Sequence, residues 1–352
     1  MKATVNKLVL TVTMLTLATS CSNTQEPIKK IQPSQPVTEI TKSPKSVVIK
    51  IDGSSTVYPI TNAIAKEFEG DSKNNAQIQL SISGTSGGFE KFCAGETDIT
   101  NASRPINQSE MTICKKNGVG YMELPIAFDA LTIAVNTQNN WAKDITVEEL
   151  KTLWQPESER KITKWNQVRS SWPNRPIKLY GAGDKSGTFD YFTEAIVGKA
   201  KASRKDYTTS EDDEVLVAGI NKDPDSLGYF GYAYYEENKD KLKVLAVNNG
   251  KGAILPSRET VEKAQYQPLS RPLFIYVNVR SSKNKSVVYK FADFYIKAAA
   301  KTAISVGYVP LPEEISKLNY VHLYNGKIGT VFAGKSQFDL TIDELLRKQK
   351  QF

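Results

Sequence analysis

Histidine is almost missing from this chain: His322 is the only one in 352 residues. A Ser-His-Asp relay or a histidine-built metal centre needs imidazole beside its partners. His322 lies far along the chain from every glycine-rich loop, so both chemistries are disfavoured, no metal is expected, and the residue reads as an isolated structural or surface position. Cysteine is scarce, with Cys21, Cys93 and Cys114 the whole set. Past the first 21 residues nothing looks transmembrane, and no internal repeat is evident. A dominant charge is absent as well. Lys and Arg number 46 against 38 Asp and Glu, a formal +8, and the lysines mix with acids, as in Lys239-Asp240-Lys241. That pattern reads as a solvated surface rather than a nucleic-acid face, so no nucleic-acid partner is expected. A modest positive field still favours an anionic ligand. The length suffices for two domains of ordinary size.

The first segment has a clear pattern. Residues 1–21 read as an export signal, with Lys2 and Lys7 as the basic start and Leu8–Leu17 as an apolar core too short to span a bilayer. It ends at Leu17-Ala18-Thr19-Ser20-Cys21, which resembles a bacterial lipobox whose cysteine is lipidated; the alternative is a soluble export signal with an incidental cysteine. Residues 22–46 hold Pro27, Pro33, Pro36 and Pro44 among Thr, Ser, Gln and Lys, without apolar periodicity, and read as a flexible tether. In an exported chain the remaining pair, Cys93 and Cys114, suggests a disulfide. Its loop would be worth roughly 3 kcal/mol in the chain-entropy model. Two separate buried thiols are the alternative.

From Val47 onward strand-like and helix-like segments alternate, which argues for α/β architecture with a mostly parallel sheet. Three times a strand runs into a loop of glycines and hydroxyl residues and then opens a helix. Val47–Asp52 leads into Gly53-Ser54-Ser55-Thr56. Ile78–Ile82 leads into Ser83-Gly84-Thr85-Ser86-Gly87-Gly88. Ile177–Tyr180 leads into Gly181-Ala182-Gly183-Asp184-Lys185-Ser186-Gly187-Thr188. Each places N–H groups and hydroxyls at the positive end of a helix, which is anion-site geometry. The helices are expected to start near Pro59, near Ser86–Gly88 and after Thr188. Two apolar strands, Ala130–Val135 and Leu273–Val277, are candidate crossovers between two lobes that close around a ligand.

Each candidate residue has a plainer reading. Ser55 and Thr56 donate to an oxyanion or merely cap the first helix. Thr85, Ser86 and Gly87 carry more glycine than a tight turn needs. Ser186, Gly187 and Thr188 form a similar loop, with Asp184 an acceptor or a local Asx turn. In that third loop Asp184-Lys185-Ser186 lacks the leading glycine of a nucleotide-binding Gly-Lys-Ser/Thr, which disfavours nucleotide hydrolysis. Ser103 and Arg104 suit a charge-assisted contact with an oxyanion, Arg104 otherwise pairing with Asp98 or at the surface. A buried carboxylate would accept the proton of HPO4²⁻ and repel sulfate; Asp98 and Asp184 are both candidates. Asp212 and Asp213 read as a solvated acidic turn or helix start before a metal site. The run Tyr229–Tyr235 and the four tryptophans read as packing.

These segments together, namely Gly53–Pro59, Ser83–Phe89, Asp98–Pro105, Gly183–Phe189 and Gly228–Tyr235, resemble the phosphate-binding proteins of bacterial phosphate ABC transporters, the PstS-like and SphX-like family. The resemblance implies a type II periplasmic binding fold with two linking strands as hinge. One lobe would be residues 47–129 with 274–345 and the other 130–273. It implies inorganic phosphate bound without chemical change and passed to transmembrane permease subunits, with no enzyme activity and no cofactor. By position Ser55 and Thr56, then Thr85 with Ser86, then Ser103-Arg104, then Ser186, Gly187 and Thr188 match the phosphate-contacting segments. Ala182 stands where another branch carries an arginine, so Arg104 would supply the guanidinium, and Asp184 is the first choice for the proton acceptor. The expected molecule is a monomer held to the membrane by its lipid. The rival readings are a receptor for sulfate, molybdate or another oxyanion, a secreted phosphatase, and a surface adhesin or signalling lipoprotein.

Overall fold

The computed structural model describes residues 46–352; the expected export signal, Cys21 and all but the last residue of the expected tether lie outside the described residues. The chain opens with β1 (Val47–Gly53), α1 (Tyr58–Gly70), β2 (Ala76–Leu80), α2 (Gly84–Cys93), β3 (Ile99–Ala102), α3 (Gln108–Lys116) and β4 (Tyr121–Asn136). Pro59 sits in the first turn of α1, where its missing N–H is no loss. Ile60, Ile64, Ala65 and Phe68 form the buried stripe of that helix, and Phe68 meets Phe291 edge-on at 5.2 Å. Helix α2 begins at Gly84, ahead of the expected Ser86–Gly88 start. Gly84 adopts φ +73, a conformation glycine takes without strain, and the helix opens at that turn.

One path of hydrogen-bonded strands runs β2, β1, β3, Ser270–Asn278, β4, Ser226–Gly231, Lys178–Ala182, Thr208–Ser210. Its two ends are parallel, as the alternation of strands and helices dictates. Its middle is antiparallel. The expected crossover segments are parts of longer strands. β4 is buried along all 16 residues. Its first part pairs with Ser270–Asn278, and Leu131–Val135 pairs with Ser226–Gly231. The register of the Ser270–Asn278 pairing shifts between Leu273 and Phe274. Two α/β halves therefore share these two strands.

Aromatic packing holds the second half. Phe192 stacks on Tyr229 with centroids 3.9 Å apart, and Trp154 stands edge-on to both. Trp141, Trp165 and Trp172 form an edge-to-face chain. Full burial of one such side chain is worth roughly 2–3 kcal/mol. In the first half Cys93 and Cys114 are joined in a disulfide with Cα atoms 4.3 Å apart, tying the end of α2 to α3. Among the described residues no helix is long and apolar enough to cross a membrane.

Candidate binding site

Ligands of open α/β sheets bind beyond the carboxyl ends of the strands. Here β1, β2 and Lys178–Ala182 each end in one of the glycine- and hydroxyl-rich loops, β3 ends in Ser103-Arg104, and these segments converge on the middle of the sheet. Thr85 and Ser103 hydroxyls lie 3.2 Å apart, and the Ser103 N–H donates to Thr85 Oγ1 at 3.1 Å. Gly187 presses against them so closely that a Cβ there would stand 2.3 Å from Thr85 Oγ1 and 2.7 Å from Ser103 Oγ. Thr56 and Thr188 hydroxyls, from the two halves, lie 3.1 Å apart. All five residues are buried.

At the centre stands an ion pair that the sequence reading did not select. Asp129 on β4 faces Arg271 on the neighbouring strand as its register partner. Arg271 Nε and Nη2 donate to Asp129 Oδ2 at 3.1 and 2.9 Å, with both side chains shielded from solvent. The Tyr232 N–H donates to Asp129 Oδ1 at 3.1 Å. Burial raises the Asp129 pKa, with Arg271 pulling the other way. Arg271 Nη2 also donates to Thr188 Oγ1 at 2.9 Å and Thr56 Oγ1 at 3.3 Å. A hydroxyl whose oxygen accepts from arginine turns its own proton elsewhere. One of the two threonines donates to the other across their 3.1 Å contact, and the second is thereby prepared as a donor. Arg271 Nη1 is buried without a partner, and the N–H groups of Ser55, Thr56 and Gly187 have no acceptor among the described residues. Free donors held out of water in this number suit an anion.

The remaining sequence-selected residues fall into two groups. Ser86 and Arg104 belong to a second buried cluster, in which every guanidinium donor is engaged. Arg104 Nε donates to Asp190 at 2.8 Å, and Nη1 donates to Glu110 at 2.8 Å and to the Pro105 carbonyl at 3.0 Å. Nη2 donates to Glu110 at 2.7 Å and Ser86 Oγ at 2.9 Å. Burial opposes the charge, yet Glu110 and Asp190 outweigh it and raise the Arg104 pKa. Arg104 has no donor left for a ligand in this arrangement, and it pairs with neither Asp98 nor solvent. Asp98 instead binds Lys285 and the Lys50 N–H. Gly87 lies inside the first turns of α2, over Ser83.

Capping divides the three loops. Ser186 accepts from the Thr188 N–H at 3.1 Å and caps the helix Gly187–Val197. Neither Ser55 nor Thr56 caps α1, whose first residues carry no side-chain cap. Asp184 is exposed, unlike the buried hydroxyl cluster. Asp212 caps its helix through the Glu214 N–H, but Asp213 is buried rather than solvated. Among the described residues no group of acidic, Cys or His side chains could hold a metal ion.

Arg271 was legible as an anomaly, since an arginine opens an otherwise apolar strand, Arg271–Val277. One further pattern is present: Gly329–Ser336 matches Gly-x4-Gly-Lys-Ser, the nucleotide-loop spacing. The structure gives it no such role. It leads into no helix before Ile342, and the Val331 N–H donates to the buried Glu123 at 3.1 Å.

The model of the PBP superfamily domain matches residues 32–299. A SphX protein of Synechocystis sp. is 56% identical over 316 residues, covering 90% of this chain and 94% of its own. The PstS phosphate-binding protein of Staphylococcus haemolyticus is 38% identical over 269 residues, 76% of this chain and 82% of its own. Among solved structures, a possible phosphate-binding protein of Planctomyces limnophilus shares 43% identity at a TM-score of 0.59, covering 80% of this chain and 99% of that one. A Clostridium perfringens substrate-binding protein, solved with phosphate, is 22% identical and supports the shared two-lobed fold at a TM-score of 0.63, covering 75% of this chain and 100% of that one.

Proposed function

We propose, from the premise that this chain belongs to the SphX and PstS family of phosphate-binding transport proteins, which are not enzymes, that it is an extracytoplasmic receptor for inorganic phosphate. Phosphate is held among Ser55, Thr56, Thr85, Ser103, Gly187 and Thr188. Arg271 supplies the positive charge. Ser86, Gly87, Arg104 and Ser186 frame the loops that present these donors. The observation that carries the reading is the placement of Arg271, which donates to the oxygens of Thr56 and Thr188, directs the proton of that hydroxyl pair toward the site and keeps its own Nη1 unpaired.

Residues 47–129 with 274–345 form one lobe and 130–273 the other, and closure brings Thr188 to Thr56. Desolvated in this way, the anion exchanges its water for many short hydrogen bonds. The receptor is a monomer, anchored through lipidated Cys21 on the tether 22–46, and delivers phosphate to permease subunits of an ABC transporter.

Isothermal titration of the phosphate-stripped mature protein with phosphate and then sulfate tests this. One-to-one phosphate binding without sulfate heat is expected. Sulfate heat, or none from either anion, refutes the ligand assignment.

A further inference from the structure

Behind the hydroxyl cluster lies a second carboxyl that the phosphate reading does not use. Asp213 opens the helix Asp213–Lys222 and is 1% exposed. Its Oδ1 has no partner, and its Oδ2 receives only the Gly231 N–H, at a long 3.5 Å. Gly231 is wedged in the same place: a Cβ there would stand 2.9 Å from Thr56 and 3.6 Å from Asp129 Oδ2. The Ser55 side chain faces the Asp213 carboxyl from the first loop. Around it the charged and titratable neighbours are Arg271 and Asp129 from the two shared strands, with Tyr234 and Tyr308 beyond. Asp212 and Glu214 flank it on its own helix. Two buried carboxyls thus share one guanidinium, and Asp129 has the close contacts to it.

We propose that Asp213 must carry a proton for phosphate to bind, and that it acts by setting the direction of the Ser55 hydroxyl. This rests on the phosphate reading above. With Asp213 ionised, the cluster of Arg271, Asp129 and Asp213 carries a net negative charge beside a site for a dianion, and Ser55 spends its only proton on the carboxylate. With Asp213 protonated, the cluster is neutral. The carboxyl O–H then donates to Ser55 Oγ, and the Ser55 proton is free for a phosphate oxygen. One proton is taken from solvent as the anion enters, and it remains on the Asp213 carboxyl. Burial supports this, lifting the Asp213 pKa to about 7 against Arg271, the Gly231 N–H and Ser55.

The test is phosphate affinity from pH 6 to pH 8.5, measured for the full mature protein and for Asp213→Asn, whose amide imitates the protonated acid. The variant is expected to match the parent at pH 6 and to bind roughly 10- to 30-fold tighter at pH 8.5, the range a group titrating near 7 produces. Titrations of the parent at pH 8 in buffers of different ionisation enthalpy should show net proton uptake, and the variant should lack it. Parallel pH profiles, absence of proton uptake by the parent, or loss of binding by a folded Asp213→Asn at pH 6 would each overturn the proposal. A parent protein that gives no phosphate heat at any pH fails the phosphate reading itself, a different result from parallel profiles.

Discussion

Gly187→Ala adds one methyl group at the tightest point of the site. Its Cβ would meet Thr85 Oγ1 at 2.3 Å and Ser103 Oγ at 2.7 Å, well inside contact distance. Thr85 cannot swing aside freely, because its oxygen accepts the Ser103 N–H, a bond worth about 1 kcal/mol. Overpacking a filled site costs typically 1–3 kcal/mol. Carried by the bound state alone, that is about a 5- to 150-fold loss of phosphate affinity. The backbone is not at issue: Gly187 is the first residue of its helix without a positive φ, and alanine is the better helix former there. The N–H that would face the anion also survives, so the experiment isolates shape from donor loss. Phosphate titration and thermal melts with and without phosphate provide the assay. Affinity should fall while the melting temperature without phosphate stays within a few degrees of the parent. An unchanged Kd would refute the convergence of the second and third loops on one ligand.

Arg104→Ala should destabilise the fold whether or not phosphate is present. It strands two buried carboxylates, Glu110 and Asp190, and breaking such a cluster costs about 3–5 kcal/mol; urea denaturation showing a loss under about 1 kcal/mol would contradict this. Glu123→Gln should flatten the pH dependence of stability. Burial pushes the Glu123 pKa to about 7, against hydrogen bonds from Thr330, Tyr276 and Val331. An acid raised in the fold favours folding at low pH and loses that contribution as pH rises from the ordinary carboxylate range through about 7. The parent should therefore melt progressively lower between pH 5 and pH 8, and the variant should show a smaller decline. Equal slopes would assign the pH dependence elsewhere.

Alternation of strands and helices, the three loops and the cysteine pair were legible because each leaves a local mark: periodicity, glycine among hydroxyls, an even count. Thr56, Thr85, Gly187 and Thr188 could be singled out on that basis. The charge could not. Arg271 leaves a mark as an arginine at the head of an apolar strand, but nothing local ranks it above Arg104; only tertiary placement shows that Glu110, Asp190, Ser86 and the Pro105 carbonyl occupy every donor of Arg104 while Arg271 keeps Nη1 unpaired. Asp213 does start a helix, as one of its two readings had it, but the exposure of Asp184 and the burial of Asp213 depart from expectation in opposite directions for a related reason. The loop Gly183–Ser186 turns the first outward, and the packing of the helix Asp213–Lys222 draws the second inward, and neither rotation has a short-range signature.

The Asp129–Arg271 pair lies across the two strands that both halves share, so the guanidinium sits at the seam between the halves. On the proposed hinge opening, the hydroxyl loops would swing away like the leaves of a double door, while the guanidinium would stay on the post between them. In the proposed receptor an arriving anion therefore meets the unpaired Arg271 Nη1 donor before any leaf has closed. The proposed order of events follows: first contact at the hinge, recognition by hydroxyls afterwards. Substitutions that weaken the loop contacts should then speed release more than they change capture, whereas a change at the post should alter capture itself.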